Sequence, residues 1–404
     1  MENITKFLNT KYENNIEFAD HYAKIAKNLL YQDPEIIVSV TEKLKKNILD
    51  FALKNTQIYR DHTEDKIYSR KDLLNKSKWE TEFLKEESKI MRTSGSTSGE
   101  PFSYSIYKKY YNFIEDENQY GLILEEFDIS KKHIDILILA NLRYNPVMGP
   151  EQFYLMQEGK TFWSMHSHRA EASTRYFVNF STYKDTEAWY KKLFELLNKK
   201  FFDVILTTGS IVNLLRHYII KFNYNKKICK LLNQTTEFLI KEDIEFLKEN
   251  NYIDNYCDSM RCWDGGATFF TCKYNNYHLM DNLSWVDSKE NKLISTDYFS
   301  FSAPFINYWN GDLCEIENNY KQCMCLRHYR PFKMLESRPF GLKGTAKITD
   351  IKQKINKLKF SQNLLNINFN NFDVIITTNR ELAVEEKQEV IKILKDYKCK
   401  FIYI

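Results

Sequence analysis

Apolar side chains recur three or four residues apart through PEIIVSVTEKLKKNILDFALKN, residues 34–55, with no glycine or proline inside the run. That spacing lines them along one stripe, so the pattern predicts an amphipathic helix within a helical lead-in that extends to about residue 90. From residue 132 the period changes. HIDILILA at 133–140 and FFDVILTTGS at 201–210 are short, β-rich runs ending in small or polar residues, and helical spacing returns in TEAWYKKLFELLNKK at 186–200. Strands alternating with helices predict an α/β core. Between 257 and 330 the turn signals DGG, YNNY, DSKEN and WNGD predict short strands joined by tight turns. The tail reads strand, helix, strand through FDVIITT, VEEKQEVIKILKDY and KFIYI. ESRPFGLKGT, with one proline and two glycines, marks a boundary near 336. The expected organisation is a large domain over 1–335, with mixed sheets and helices, followed by a small α+β domain over 336–404.

Composition narrows the function classes. Hydrophobic residues at 43% and aromatics at 15% supply packed interiors and exclude a disordered chain. The formal charge of +4 is what remains of 58 basic and 54 acidic side chains that alternate along the chain. Without a basic block there is no warrant for nucleic acid or membrane partners. The opening MENITKFLNTKYENN lacks a basic segment followed by an apolar run, and no stretch approaches about eighteen uninterrupted apolar residues, so a soluble, cytoplasmic protein is expected.

Residues 92–101, RTSGSTSGEP, concentrate hydroxyls and glycines. Glycines let a backbone approach phosphate closely, and hydroxyls add donors. The same composition also fits a flexible linker. The spacing is not that of a Walker-type loop, because no lysine follows Gly99.

TSGSTSGEPF resembles the phosphate loop of adenylate-forming enzymes, in the branch of phenylacetate-CoA ligases and CapK-like proteins, with Ser98 as one added residue. Further stretches resemble that family in the same order. FFDVILTTGSIVNLLRHYI resembles a strand and its helix, TTEFLIKEDIEFLKE places Glu237 at an acidic position, and INYWNGDL resembles the segment ending in a ribose-binding aspartate, here Asp312. SRPFGLKGTAKITDIKQKI resembles the interdomain hinge, with Arg338 near the nucleotide and Gly344 at the turn. The resemblance spans residues 90–404. It implies an adenylate-forming fold that binds ATP or AMP through Ser94, Gly95, Ser96, Thr97, Ser98 and Gly99, with Thr97 and Arg338 nearest the chemistry. A carboxylate suits a ribose diol because it accepts two hydrogen bonds.

Two departures stand out. The family's glutamate for Mg²⁺ has no match in WDGGATFF, where Thr268 or Phe269 falls at its place, which leaves Asp264 or Glu237 to supply a carboxylate. Gly265 and Gly266 can still line the adenine pocket. The usual terminal catalytic lysine also has no assignable match, although Lys398 and Lys400 lie near the end.

Six of the eight cysteines lie between 257 and 325. Cys272, His278, Cys323 and Cys325 are thiolate and imidazole donors suited to tetrahedral Zn²⁺, with His328 in reserve. The spacing alone equally describes buried free thiols and a surface histidine. Members of the resembled branch carry a Cys, His and Cys-x-Cys zinc site in this region, so the resemblance implies a closed structural site stapling a segment with little core of its own.

The activity implied is activation of a carboxylic acid by ATP, then transfer to CoA or to an amine, with a homodimer as the expected assembly. Two other readings remain: an acyl-protein synthetase holding a fatty acyl group on Cys399, and a non-catalytic nucleotide-binding relative. Tyr144, Met148, Phe153, Trp163, Met165, His166, His168 and Arg169 are candidates for the acyl wall.

Overall fold

The computed structural model describes residues 2–83, 85–92, 103–112, 121–129, 133–140, 172–179, 186–207, 209–234, 241–262, 265–336, 358, 364–370, 373–378, 380–395 and 398–403. Four helices open the chain: α1 (Glu2–Asn9), α2 (Asn15–Ala23), α3 (Ala26–Leu29) and α4 (Pro34–Asn55). α4 has the bounds its periodicity predicts. Pro34 stands at its first turn, where the missing N–H is no loss, and Ile37, Val40, Thr41, Leu44, Ile48, Phe51 and Ala52 form the buried stripe. Asn14 caps α2 by accepting from the backbone N–H groups of Ile16 at 3.1 Å and Glu17 at 2.9 Å. Lys43 closes the far end of α1, donating to the carbonyls of Phe7 and Leu8 at 2.8 Å each and of Thr10 at 2.9 Å. These helices share their core with the body of the protein, packing with Phe270, Phe299 and Phe301.

A seven-stranded sheet runs in the order β10-β9-β8-β7-β6-β4-β5. Its strands are β4 (His133–Ala140), β5 (Ala172–Asn179), β6 (Phe202–Thr207), β7 (Cys229–Gln234), β8 (Ile253–Arg261), β9 (Thr268–Thr271) and β10 (Tyr277–Leu279). β5, β4, β6, β7 and β8 are parallel, and β9 and β10 join antiparallel. Helices α7 (Thr186–Lys199), α8 (Gly209–Lys221) and α9 (Lys241–Glu249) follow in alternation with the strands. Trp189, Tyr190, Leu215, Tyr218 and Leu247 from these helices bury Leu137, Ile205 and Leu232 of the sheet. Ile136, Val204 and Leu231 join the core on the N-terminal helices. Burial of every β6 position follows from helices and core covering both faces.

A second sheet has the order β1-β13-β12-β11, with β16 also on β13. It comprises β1 (Tyr68–Ser69), β11 (Ser284–Lys289), β12 (Lys292–Asp297), β13 (Tyr308–Ile316) and β16 (Phe332–Glu336). Glu290 and Asn291, both at positive φ, make the two-residue turn between β11 and β12 predicted at DSKEN. WNGD corrects the sequence reading: it is no turn but the interior of β13, where Gly311 at φ +101 and shifted registers on either neighbour mark irregular pairing. Beyond residue 363, β17 (Leu364–Asn370), β18 (Asp373–Thr378) and β19 (Lys398–Tyr403) form a separate three-stranded sheet. Helix α10 (Val384–Ile393) links the parallel pair β18 and β19, as the strand, helix, strand pattern predicts. β19 is largely exposed and Cys399 is half-buried.

Among the described residues, no helix is long and apolar enough to cross a membrane.

Candidate active site and metal centre

After β8 the chain turns sharply. Cys262 N–H donates to the Ala267 carbonyl at 2.7 Å and Gly266 N–H to the Cys262 carbonyl at 3.0 Å. Gly265 and Gly266 adopt φ of +90 and +78, and a Cβ on either would collide with the second sheet. At Gly265 it would lie 2.6 Å from Ser295 Oγ and 2.7 Å from Tyr308 Cδ1; at Gly266, 2.7 Å from Asp297 Oδ2. Ser284 Oγ and Thr268 Oγ1 donate to the Gly266 carbonyl at 2.9 and 3.0 Å. The glycines therefore allow the turn to lie flat on β11, β12 and β13. Asp264 falls outside the described residues, and Thr268 and Phe269 are buried in β9.

Asp312 faces this turn from β13 and is fully buried. Asn310 Nδ2 donates to its Oδ2 at 2.8 Å, and its own backbone N–H donates to Asn310 Oδ1 at 2.9 Å. Cys262 Sγ lies 3.8 Å from Asp312 Oδ2 and accepts from Asn310 Nδ2 at 2.8 Å. The structure thus brings Gly265, Gly266 and Asp312 into one neighbourhood, and adds Asn310 and Cys262, which the sequence reading passed over. Asn310 had a readable signal, since strand residues two apart share a face. Cys262 had none.

β2 (Ser88–Arg92) and β3 (Ser103–Tyr107) form an antiparallel hairpin whose last pair is Arg92 and Ser103. Residues 93–102, with the whole Ser94–Gly99 stretch, connect two paired strands, so they do not link domains. The hairpin seats Met91, Tyr104 and Ile106 on Trp79, Phe305 and Tyr308. Tyr104 meets Phe305 edge-on at 5.0 Å, and Phe305 meets Tyr308 at 5.0 Å. Tyr308 is the ring beneath Gly265, so the hairpin base and the glycine turn flank one aromatic run. Ser94–Gly99, Glu237, Arg338, Gly344 and the candidate acyl-wall residues all lie outside the described residues.

Polar side chains collect at the carboxyl ends of the parallel strands, where open α/β sheets bind ligands. Thr207, Gln234 and Asp258 are register partners across β6, β7 and β8. Tyr256 OH donates to Gln234 Oε1 and Tyr277 OH to Asp258 Oδ2, each at 2.7 Å. Burial raises the Asp258 carboxyl to about 6, against the opposing Tyr277 hydrogen bond.

The metal-ligand residues come together on two hairpins. The β9–β10 turn has Asn275 N–H donating to the Cys272 carbonyl at 2.8 Å, with Asn275 at φ +60. The turn between β14 (Lys321–Gln322) and β15 (His328–Tyr329) repeats the device: Leu326 N–H donates to the Cys323 carbonyl at 2.9 Å, with Leu326 at φ +70. Both curl the backbone around a cysteine. Cys272, His278, Cys323 and Cys325 present donor atoms all within 4.8 Å of one another, the one such group among the described residues. Cys272 Sγ and Cys323 Sγ are 3.7 Å apart, and Cys325 Sγ is 3.5 Å from His278 Nε2. A tetrahedron with Zn–S near 2.3 Å has edges of about 3.8 Å, so these residues fit the ion. His328 lies outside the group. Cys325 is pushed well down, first by the hydrogen bond from Cys272 and then by His278, with burial opposing; Cys272 is pushed up by the same contact and by burial.

Glu126, at the end of α6 (Gly121–Glu126), ties the hairpins together. One oxygen accepts from Lys273 N–H at 3.0 Å, next to Cys272, and the other pairs with the buried Arg327 guanidinium, two residues past Cys325. Cys272 and Cys323 belong to the largest core cluster, which corrects the expectation of a staple in a segment short of core.

The fold is that of the adenylate-forming ligases. 2-Hydroxyisobutyryl-CoA ligase in the postadenylation state with R3-HIB-AMP superposes with a TM-score of 0.63 at 12% identity, covering 93% of this chain and 88% of that one. The same ligase with 2-HIB-AMP and CoA in the thioesterification state gives 0.58 at 11% identity, covering 93% and 88%. No family model matches the sequence, and no curated protein matches it.

Proposed function

We propose that the protein is an adenylate-forming acid–thiol ligase. The carrying observation is the buried contact of Asp312 with Cys262, which opens the Gly265–Gly266 turn, in the fold of a ligase described with acyl-AMP and CoA. The acid's carboxylate oxygen attacks the α-phosphorus of ATP and pyrophosphate leaves. A thiol then attacks the acyl carbon and AMP leaves. Asp312 accepts the ribose hydroxyls, Gly265 and Gly266 bring backbone against the base, and the loop at 94–99 with Thr97 orients the phosphates. Arg338 steadies the nucleotide. Mg²⁺ would be held by Asp264 or Glu237 and would offset phosphate charge.

CoA is the thiol this reading favours, with an amine as the other acceptor class and the phenylacetate-CoA ligase and CapK-like branch as the relatives. The four Cys and His donors would hold a structural Zn²⁺, whose closed shell leaves no position for substrate.

The test is acid-dependent pyrophosphate exchange into ATP over a panel of aliphatic, aryl and hydroxy acids. Exchange with at least one acid, falling at least about tenfold in Asp312→Ala, is expected. Silence over the panel with AMP still bound would replace this reading by the non-catalytic one, and a hydroxylamine-labile acyl group on the protein by the acyl-protein one.

A further inference from the structure

We propose that Asn310 is the positioning residue of the nucleotide site, acting through Asp312. The inference deepens the proposed function, because it rests on Asp312 being the ribose ligand. A carboxylate that takes a diol must present its plane in one orientation, and an aspartate left to itself rotates about two torsions. Asn310 removes that freedom with one planar group. Its Nδ2 holds Asp312 Oδ2 at 2.8 Å while its Oδ1 holds the Asp312 backbone N–H at 2.9 Å. Side chain and main chain of Asp312 are therefore set by the same amide.

The amide is itself fixed in one sense. A flipped Asn310 would turn its oxygen onto the carboxylate and its NH₂ onto a backbone donor, losing both hydrogen bonds. Cys262 completes the arrangement, accepting from the same Nδ2 at 2.8 Å and standing 3.8 Å from Asp312 Oδ2. The three side chains are 5%, 0% and 2% exposed, so water does not replace a lost contact. Gly311, at φ +101, lets the irregular strand keep both side chains on the face toward the glycine turn. Serine at 310 has one hydroxyl on a shorter side chain in place of the two separated amide atoms, so it cannot hold the carboxylate and the backbone N–H in the same positions, and aspartate would set two carboxylates 2.8 Å apart. Asparagine thus places donor and acceptor on two separate atoms of one plane, which reach the carboxylate and the backbone N–H at once.

The experiment measures dissociation constants of AMP and 2′,3′-dideoxy-AMP for the wild type, Asn310→Ala, Asn310→Ser and Asp312→Asn. The expected result is about tenfold weaker AMP binding in both Asn310 variants, with dideoxy-AMP changed less than about twofold. In ATP–pyrophosphate exchange, KM for ATP should rise more than kcat falls. Equal weakening of the two nucleotides would show a merely structural role and overturn the inference, as would unchanged AMP binding in either variant. Asp312→Asn separates the premise: if it binds AMP as the wild type does, the ribose reading of Asp312 fails and the inference with it. The serine variant keeps the test open should the alanine variant not fold.

Discussion

Gly266 carries a sharp steric demand against a buried carboxylate. With φ at +78 and Asp297 Oδ2 2.7 Å from where a Cβ would stand, alanine must strain the backbone or push a buried carboxylate. Gly266→Ala should cost on the order of 2 kcal/mol of stability and weaken AMP binding, read by denaturant unfolding and nucleotide titration. Wild-type values in both would refute the close approach. The sequence marked Gly265 and Gly266 for close backbone approach in an adenine pocket, and their close packing on Ser295, Tyr308 and Asp297 came only with the structure. That Cys262 would meet Asn310 and Asp312 was not legible, since 48 residues separate Cys262 from Asn310.

Among the elements, the YNNY turn of the first cysteine hairpin was legible, and the support of both hairpins was not. Each cysteine is followed within a turn by a residue at positive φ, Asn275 or Leu326, and the first lies in a YNNY turn signal. Nothing local announces that Glu126 would pin both hairpins. Glu126→Gln leaves Arg327 as a buried charge with a weaker partner. It should destabilise the protein by about 3 kcal/mol and lower zinc affinity about tenfold, measured by unfolding and by competition with a chelator. Zinc content and affinity equal to wild type would remove the supporting role. WNGD was misread because turn composition also suits a bulged strand, and the pairing that makes it one arrives from β12 and β16.

For the whole molecule, stability should depend on pH through Asp243. Burial between α8 and α9 raises its carboxyl to about 7, against the opposing attraction of Arg216. The folded protein keeps a proton that the unfolded chain releases near pH 4, so this group's contribution falls as pH rises from about 4 to about 7 and then levels. Asp243→Asn should therefore gain stability relative to wild type across that window, by on the order of 3 kcal/mol at its end. Unfolding free energies from pH 4 to 8 check this, and a pH-independent difference would contradict it. His62 and His217, whose pKa values burial lowers, act in the opposite sense at acid pH and cancel in the comparison.

By itself the amino-acid sequence determined several elements: helix α4, the strands alternating with helices, the tail's strand, helix, strand, and the turns at YNNY and DSKEN. Each follows from periodicity or turn chemistry that acts over a few residues. Tertiary structure alone decided the company those elements keep. It set the N-terminal helices into the main core, joined Glu126 to Arg327 across 201 residues, and brought Cys262 onto Asn310 and Asp312. Such contacts depend on which strand lies beside which, and spacing along the chain carries no trace of that choice.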